Sequence, residues 1–321
     1  MDREGLAGEL GAIVGAEHVC VDAEEVARRT RNTLGLERGV LGLVYPQTTS
    51  EVQAIVALAN RRRLALYPYS TAKNIGYGER LPVSEDNLII DLGRMDRILA
   101  IDAEQGFADV EPGVTQGRLS DALREQGIPY FVDVTGSGRD SSLVGNCVEG
   151  GFGTTPKGDR RKQITCLKGV LGSGELFDTG SFPGSLGPDL AGAFVQSNFG
   201  IVTQLRIPLN AVFAAYESFT ISLASASDLV GLVEVLRGLR QQGSIVNQVV
   251  IMNALDALYT SGTAVPEAYA NRLLSNAEAA EILSTPLSRF GEIAAIGAIY
   301  GSREEVRARR RTLRRALRSR L

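Results

Sequence analysis

Histidine occurs once in the 321 residues and cysteine three times. One histidine is too few for a histidine-ligated metal centre or a histidine-based triad. Cys20, Cys147 and Cys166 stand far apart, in neither a disulfide framework nor a zinc spacing. An excess of positive charge is missing too. Lys and Arg number 34 against 37 Asp and Glu, a net charge of −3 that makes no case for nucleic acid. No apolar run approaches membrane-span length, and M-D-R-E-G-L-A-G-E-L at the start lacks a signal peptide's apolar core. A cytoplasmic protein without a membrane partner is therefore expected. Internal repeats, Walker A and the G-x-G-x-x-G fingerprint are also absent. The 44% apolar content and the length allow two domains with real cores.

Two unusual loops stand out against this background. Pro68 to Gly78 reads P-Y-S-T-A-K-N-I-G-Y-G and follows a short apolar strand, Leu64 to Tyr67. Such a loop can turn successive N–H groups toward one centre, with hydroxyls and a lysine as further donors, and so bind phosphate. Taken alone, it is equally a polar surface turn. Thr135 to Asp159, T-G-S-G-R-D-S-S-L-V-G-N-C-V-E-G-G-F-G-T-T-P-K-G-D, is the second. Glycine at this density costs chain entropy unless the backbone must approach something closely. Two such loops point to an extended ligand lying along the backbone.

Pro68–Gly78 resembles the P-x-S-T-G-K-N-x-G-Y-G loop of the vanillyl-alcohol oxidase and p-cresol methylhydroxylase flavoproteins. Val144–Asp159 is similar to their V-G-N-x-x-x-R-G-x-G-Y-T-P-Y-G-D segment, and Q-S-N-F-G-I-V-T at Gln196–Thr203 to their Q-S-N-x-G-I-V-T. The motifs keep the family's order, and the similarity runs from about Val44 to Pro208. The resemblance implies an α+β fold, with a two-subdomain FAD-binding domain over residues 1–210. A partial ferredoxin-like substrate cap is expected over 211–321. It implies FAD, bound without a covalent link, because Lys73 and Asn74 stand where some relatives place a linking histidine. Ser70, Thr71, Ala72, Lys73, Asn74 and Ile75 would then hold the pyrophosphate, with Pro68 and Tyr69 as further cofactor-binding residues. Thr135, Gly136, Ser137, Ser141, Ser142, Gly145 and Asn146 would pass close to the cofactor. Gly151, Gly153, Gly200, Ile201 and Val202 would line the rest of it.

The departures from the family are equally specific. Ala72 replaces a glycine, and its Cβ argues against a positive φ there. Thr154 and Lys157 stand where phenol-oxidising members carry tyrosines, and Arg160 where they often carry histidine. Those members also place an aspartate near the flavin. The catalytic candidates here are Asp140, Ser137 and Thr154, and losing the usual groups weakens a para-alkylphenol assignment. Cys147 reads as a small buried hydrophobe. The family continues past the point where this chain stops. A naturally short enzyme, half of a split enzyme and a piece of a longer protein all remain open.

Along the chain, Leu6–Val21 is weakly amphipathic and contains His18, which reads as a surface histidine. A short helix is expected from Asp22 toward Arg31. Val40–Tyr45 reads as a buried strand, Ser50 as the cap of the next helix, and Ala65–Tyr67 as the strand that delivers the first loop. Asn87–Asp91 is a strand, and Ile98–Asp102 pairs with Phe107–Glu111. Thr115 caps a helix closed by Gly127. Ile128–Val132 is a short strand, Ile164–Leu171 and Glu175–Asp178 a hairpin, Phe182–Asp189 a loop, and Ile201–Ile207 a strand. Beyond Pro208, strands are expected at Ser218–Leu223, Val246–Met252 and Ile293–Tyr300. Helices are expected at Ser227–Leu239, Asn271–Ser284 and Ser302–Leu321. The last is crowded with arginine, as a solvated face or as a contact for an acidic partner chain.

The expected function is an FAD-dependent oxidoreductase, oxidase or dehydrogenase, acting on a small organic molecule, phenolic or a specialised metabolite, by hydride transfer to flavin. The alternative is an accessory flavin-fold subunit that needs a partner. Self-association, or a partner protein supplying the missing elements, is expected from an incomplete cap with open sheet edges.

Overall fold

The computed structural model describes residues 2–32, 35–73, 80–135, 138–156, 158–180, 188–260, 274–284 and 291–319. The chain divides into two units, one of Met1–Gly153 and Lys157–Val212, the other of Thr154–Pro156 and Phe213–Leu321.

The first unit opens with α1 (Arg3–Val14), β1 (Val19–Cys20), α2 (Ala23–Arg29), β2 (Val40–Val44), α3 (Thr49–Arg62), β3 (Ala65–Tyr69) and β4 (Asn87–Asp91). Their strands form one sheet in the order β1-β2-β4-β3, with β2, β4 and β3 parallel. The near-continuous apolar runs of β2 and β4 suit strands covered on both faces. Leu6 and Leu10 of α1 and Ile55 and Leu58 of α3 pack on one face, against Val44, Leu88 and Ile90. Val26 of α2, with Tyr45, Tyr67 and Tyr69, covers Leu43 and Ile89 on the other. α3 is capped by Thr48 rather than Ser50. The Thr48 backbone is extended and its side chain accepts from the Glu51 N–H, which leaves Ser50 inside the first turn. Glu51 answers by accepting from the Gln47 N–H at 2.6 Å, so the boundary signal is T-x-x-E at 48–51.

A second sheet follows, from β5 (Ile98–Asp102), β6 (Phe107–Val110), α4 (Gln116–Glu125), β7 (Tyr130–Phe131), α5 (Leu143–Val148), β8 (Cys166–Leu171), β9 (Leu176–Asp178), β10 (Gly200–Pro208) and β11 (Asn210–Ala211). Its order is β5-β6-β10-β8-β9, antiparallel throughout. The strand expected over Ile128–Val132 shrinks to β7, which pairs only with β11. Leu119 and Leu123 of α4 and Val144 and Cys147 of α5 fill one face of this sheet. Val170 and Ile201 point the other way, into the core built around α3. α3 also bonds across to this sheet. Thr49 Oγ1 donates to Thr203 Oγ1, Gln53 to the Gly174 carbonyl and Asn60 to the Gly172 carbonyl, at 2.7–3.0 Å. The helix layer thus serves both sheets.

The second unit holds β12 (Ala215–Leu223), α6 (Leu229–Gln241), β13 (Val250–Asn253), α7 (Ala254–Thr260), α8 (Asn276–Ser284), β14 (Ile293–Gly301) and α9 (Arg303–Arg318). β14 lies between β12 and β13, antiparallel to both. Alternate residues of β12, Phe219, Ile221 and Leu223, meet Leu232 and Leu236 of α6 and Val306 and Leu313 of α9. α9 begins at a full capping box, in which Ser302 and Glu305 bond each other's backbone. The Phe182–Asp189 loop lies mostly outside the described residues, as does the start of the helix expected from Asn271.

Candidate functional site

The first, hydroxyl-rich loop leaves the end of β3, so Pro68 and Tyr69 are strand residues, not loop residues. Tyr69 pairs with Asp91 of β4, and the Tyr69 hydroxyl donates to the Asp91 carboxylate. Asp91 Oδ1 also accepts from the Gly93 N–H at 2.8 Å. Burial nevertheless raises the Asp91 carboxyl above the usual range, against the lowering effect of those bonds and of Arg80. The turn that follows contains Ala72 at φ 51, in the left-handed region. This corrects the expectation drawn from its Cβ. The flanking contacts of the loop override a preference worth about 1–2 kcal/mol.

Ser70 and Thr71 run directly against the second loop. The Ser142 N–H donates to Thr71 Oγ1 at 3.1 Å. Gly145 sits so close to Ser70 that a Cβ there would overlap Ser70 Oγ. Ser142 caps α5, a six-residue helix that the glycine-rich stretch conceals, by accepting from the Gly145 N–H. Its own hydroxyl donates to the Pro112 carbonyl at 2.6 Å. Ser70, Thr71, Ser141, Ser142 and Gly145 therefore form one cradle. Lys73 is exposed at its rim. Asn74, Ile75, Gly136, Ser137 and Lys157 lie outside the described residues.

Gln116, at the head of α4, organises the near side of this loop. Its buried amide accepts from the Thr135 N–H at 3.0 Å and donates to the Thr135 and Gly138 carbonyls. No motif marks Gln116. Its signal is a polar residue right after the Thr115 cap, on the inward side of a helix start.

The far side is held by a buried polar network. Arg160, 1% exposed, donates from Nε to Asn146 Oδ1 at 2.9 Å, and from Nη1 to the Asp133 carbonyl and Gln163 Oε1. Gln163 in turn donates to Asp133 Oδ2 at 2.7 Å. The Asp133 carboxylate fills the space where a Gly153 Cβ would be, and the Asn146 side chain fills that of Gly151. Arg160 is thus the hub of a packed network. Cys147 is fully buried beside it, and burial pushes its thiol up.

The other predicted positions fall elsewhere. Gly200, Ile201 and Val202 pair with Leu171, Val170 and Gly169 inside the second sheet. Asp140 is exposed and lines an open depression of about 480 Å³ with Asp121, Arg118 and Arg139 along α4. Thr154 is half-buried and groups with the second unit. Among the described residues no cluster of three or more metal-ligating side chains occurs. No helix is long and apolar enough to cross a membrane, again among the described residues.

Residues 40–180, which contain both loops, match the family model described as an FAD binding domain. This region carries an FAD-binding domain. The chain is 35% identical over 257 residues to 1'-carboxy-chondrochloren decarboxylase of Chondromyces crocatus, covering 76% of this chain and 48% of that protein. It is 31% identical over 258 residues to the 4-cresol dehydrogenase [hydroxylating] flavoprotein subunit of Pseudomonas putida, covering 76% and 50%. Among solved structures, a 4-ethylphenol oxidase from Gulosibacter chungangensis in complex with isoeugenol superposes with a TM-score of 0.87 at 27% identity, covering all of this chain and 64% of that one. Substrate-bound p-cresol methylhydroxylase gives 0.85 at 26%, covering 98% and 64%. The chain spans about half the length of the curated relatives it matches.

The FAD-binding domain has the features that an extended dinucleotide needs. Ser141 Oγ is buried at the meeting of the two loops with no hydrogen-bond partner among the described residues, a cost normally met by a ligand or water. Gly145, Gly151 and Gly153 let the second loop pack directly on Ser70 Oγ and on the Asn146 and Asp133 side chains, which holds the loop closely in place beside Ser141. The residues present fit FAD.

Proposed function

We propose that the chain is the flavin-binding part of an FAD-dependent oxidoreductase that oxidises a small organic substrate by hydride transfer. The observation that carries this reading is the Ser70–Thr71 turn bonded and packed against Ser142 and Gly145 within the matched FAD-binding domain. Ser70, Thr71 and Lys73 would offer donors to the diphosphate, and Ser141 a further hydroxyl. The second loop, held by its packing on Ser70, Asn146 and Asp133, would pass close to the ring system. FAD, when bound, supplies the two-electron acceptor that no side chain here provides.

Non-covalent binding is supported by Lys73 and Asn74 in place of a linking histidine, and by a Cys147 thiol buried behind Arg160 and raised toward its neutral form. The phenolic substrate class draws support from relatives named for cresol and ethylphenol. The replacements at Thr154, Lys157 and Arg160 weigh against a simple para-alkylphenol, and a carboxylated substrate draws support from the relative named for a 1'-carboxy compound. Mixing the FAD-loaded protein anaerobically with 4-alkylphenols and with carboxylated phenols tests this. Bleaching of the yellow colour by a member of either group is expected, and colour that survives both refutes the substrate class.

A second reading is a flavin-fold subunit that acts only with a partner, because one relative is named as a flavoprotein subunit. It predicts that purified protein turns over substrate only when a second chain is added. Turnover by the monodisperse chain alone rules it out.

A further inference from the structure

Helix α9 carries eight arginines and two glutamates in sixteen residues. Arg309 and Arg310 are half-buried and engaged, Arg309 with the Tyr300 carbonyl and Glu305, Arg310 with Glu217 at 3.2 Å. Arg303, Arg307, Arg311, Arg314 and Arg318 are different. All five are exposed, and among the described residues none makes an ion pair. Their spacings of four, four, three and four residues place them within an arc of about 80°, along a line of about 22 Å on one side of the helix. Stacking like charges at i, i+4 costs helix stability, so this stripe works against the helix that bears it. The opposite side of α9 is already spent, since Val306, Leu313, Ala316 and Leu317 pack into the second unit's core.

We infer that this stripe is the docking surface for an acidic protein segment that presents carboxylates at one-turn spacing. Charge complementarity names the sign of the partner, and the neighbouring surface names its class. α6 packs beside α9 and turns Val230, 73% exposed, and Val233, 41% exposed, to solvent, with Arg240 exposed on the same helix and Arg237 paired to Glu234. Exposed apolar side chains flanked by arginine are the composition of a protein interface. A membrane surface is disfavoured, because a helix that binds lipid turns bulky apolar or aromatic residues outward. The apolar residues of α9 face the core, and the chain has no tryptophan. A long nucleic acid is disfavoured, because the whole chain is net negative and would repel it away from the stripe. This inference is independent of which substrate the flavin site oxidises.

Fluorescence anisotropy against three labelled probes at low and physiological salt tests it: poly-L-glutamate, oligothymidylate and phosphatidylserine vesicles. Poly-L-glutamate is expected to bind tightest, with affinity that falls as salt rises. Replacing three stripe residues together, R307Q/R311Q/R314Q, is expected to weaken that binding about 30-fold, or about 2 kcal/mol at about 1.4 kcal/mol per decade. R124Q on α4 of the other unit should leave it unchanged. Circular dichroism of the triple variant reports whether it is folded. If it is not, the salt dependence of the native chain decides, and salt-independent binding overturns the inference. So does tighter binding to oligothymidylate or vesicles, or a folded triple variant that binds like the native chain.

Discussion

Replacing Arg160 by methionine is the sharpest probe of the scaffold beneath the second loop. Arg160 and Asp133 are each 1% exposed, yet Nη1 and Oδ2 stand 3.9 Å apart, and the charges communicate chiefly through Gln163. Methionine preserves much of the packed volume but leaves the Asp133 carboxylate buried without its counter-charge. It also strips partners from Asn146 Oδ1, Gln163 Oε1 and the Asp133 carbonyl. Removing one member of a buried pair costs about 3–5 kcal/mol, a large share of a total stability of about 5–15 kcal/mol. In a domain of this size that lowers the melting temperature by about 6–20 °C. Adding Asp133→Asn to Arg160→Met removes the stranded charge, so the double variant should melt above Arg160→Met alone. Thermal unfolding followed by circular dichroism reads both. An Arg160→Met protein that melts within a degree or two of the native one, or a double variant as unstable as the sum of the singles, refutes the network account.

Other outcomes follow from the same geometry. Lys73→Ala, on the exposed rim of the first loop, should leave the fold intact while FAD affinity falls by roughly one to two orders of magnitude, from a lost charge-assisted bond of about 1.5–3 kcal/mol; flavin titration checks this, and unchanged affinity removes the lysine from the site. Gly145→Ala forces a Cβ into Ser70 Oγ and should weaken FAD binding and the fold by about 1–3 kcal/mol, with partial rescue by Ser70→Ala, whereas absence of rescue breaks the claimed contact. Asp91 has a folded pKa raised by burial, so its contribution is fully present at low pH and is lost as pH rises through that folded pKa. Asp91→Asn does not titrate and should therefore gain on the native protein as pH climbs above about 4. Urea unfolding across that range should show the gap widening, and a constant or reversed gap contradicts the burial argument.

Much of this fold was legible because its signals are local. Thr115 caps α4 and Gly127 follows it at φ 66, as the helix-start and helix-stop residues imply. The β5–β6 and β8–β9 hairpins fall where turn residues separate apolar runs. The two loops were legible by motif. What escaped depends on long-range context. α5 is too short to show a period, and its glycine reads as loop until Ser142 is seen capping it. Ala72 takes a left-handed conformation beside Thr71, which accepts a hydrogen bond from Ser142, 71 residues away. The hub role of Arg160 needs Asp133, Asn146 and Gln163 brought together, which no spacing in the chain announces. The place of Asp140 beside Arg118, Asp121 and Arg139 along α4 likewise depends on how the loop folds back, which no local pattern shows.

The most direct test of the central claim is the visible absorption spectrum of the purified chain after incubation with FAD and gel filtration, followed by acid precipitation. The account predicts a yellow protein with about one FAD per chain, whose colour passes wholly into the acid supernatant. A folded protein that retains no flavin, or colour that stays with the precipitate, would contradict it.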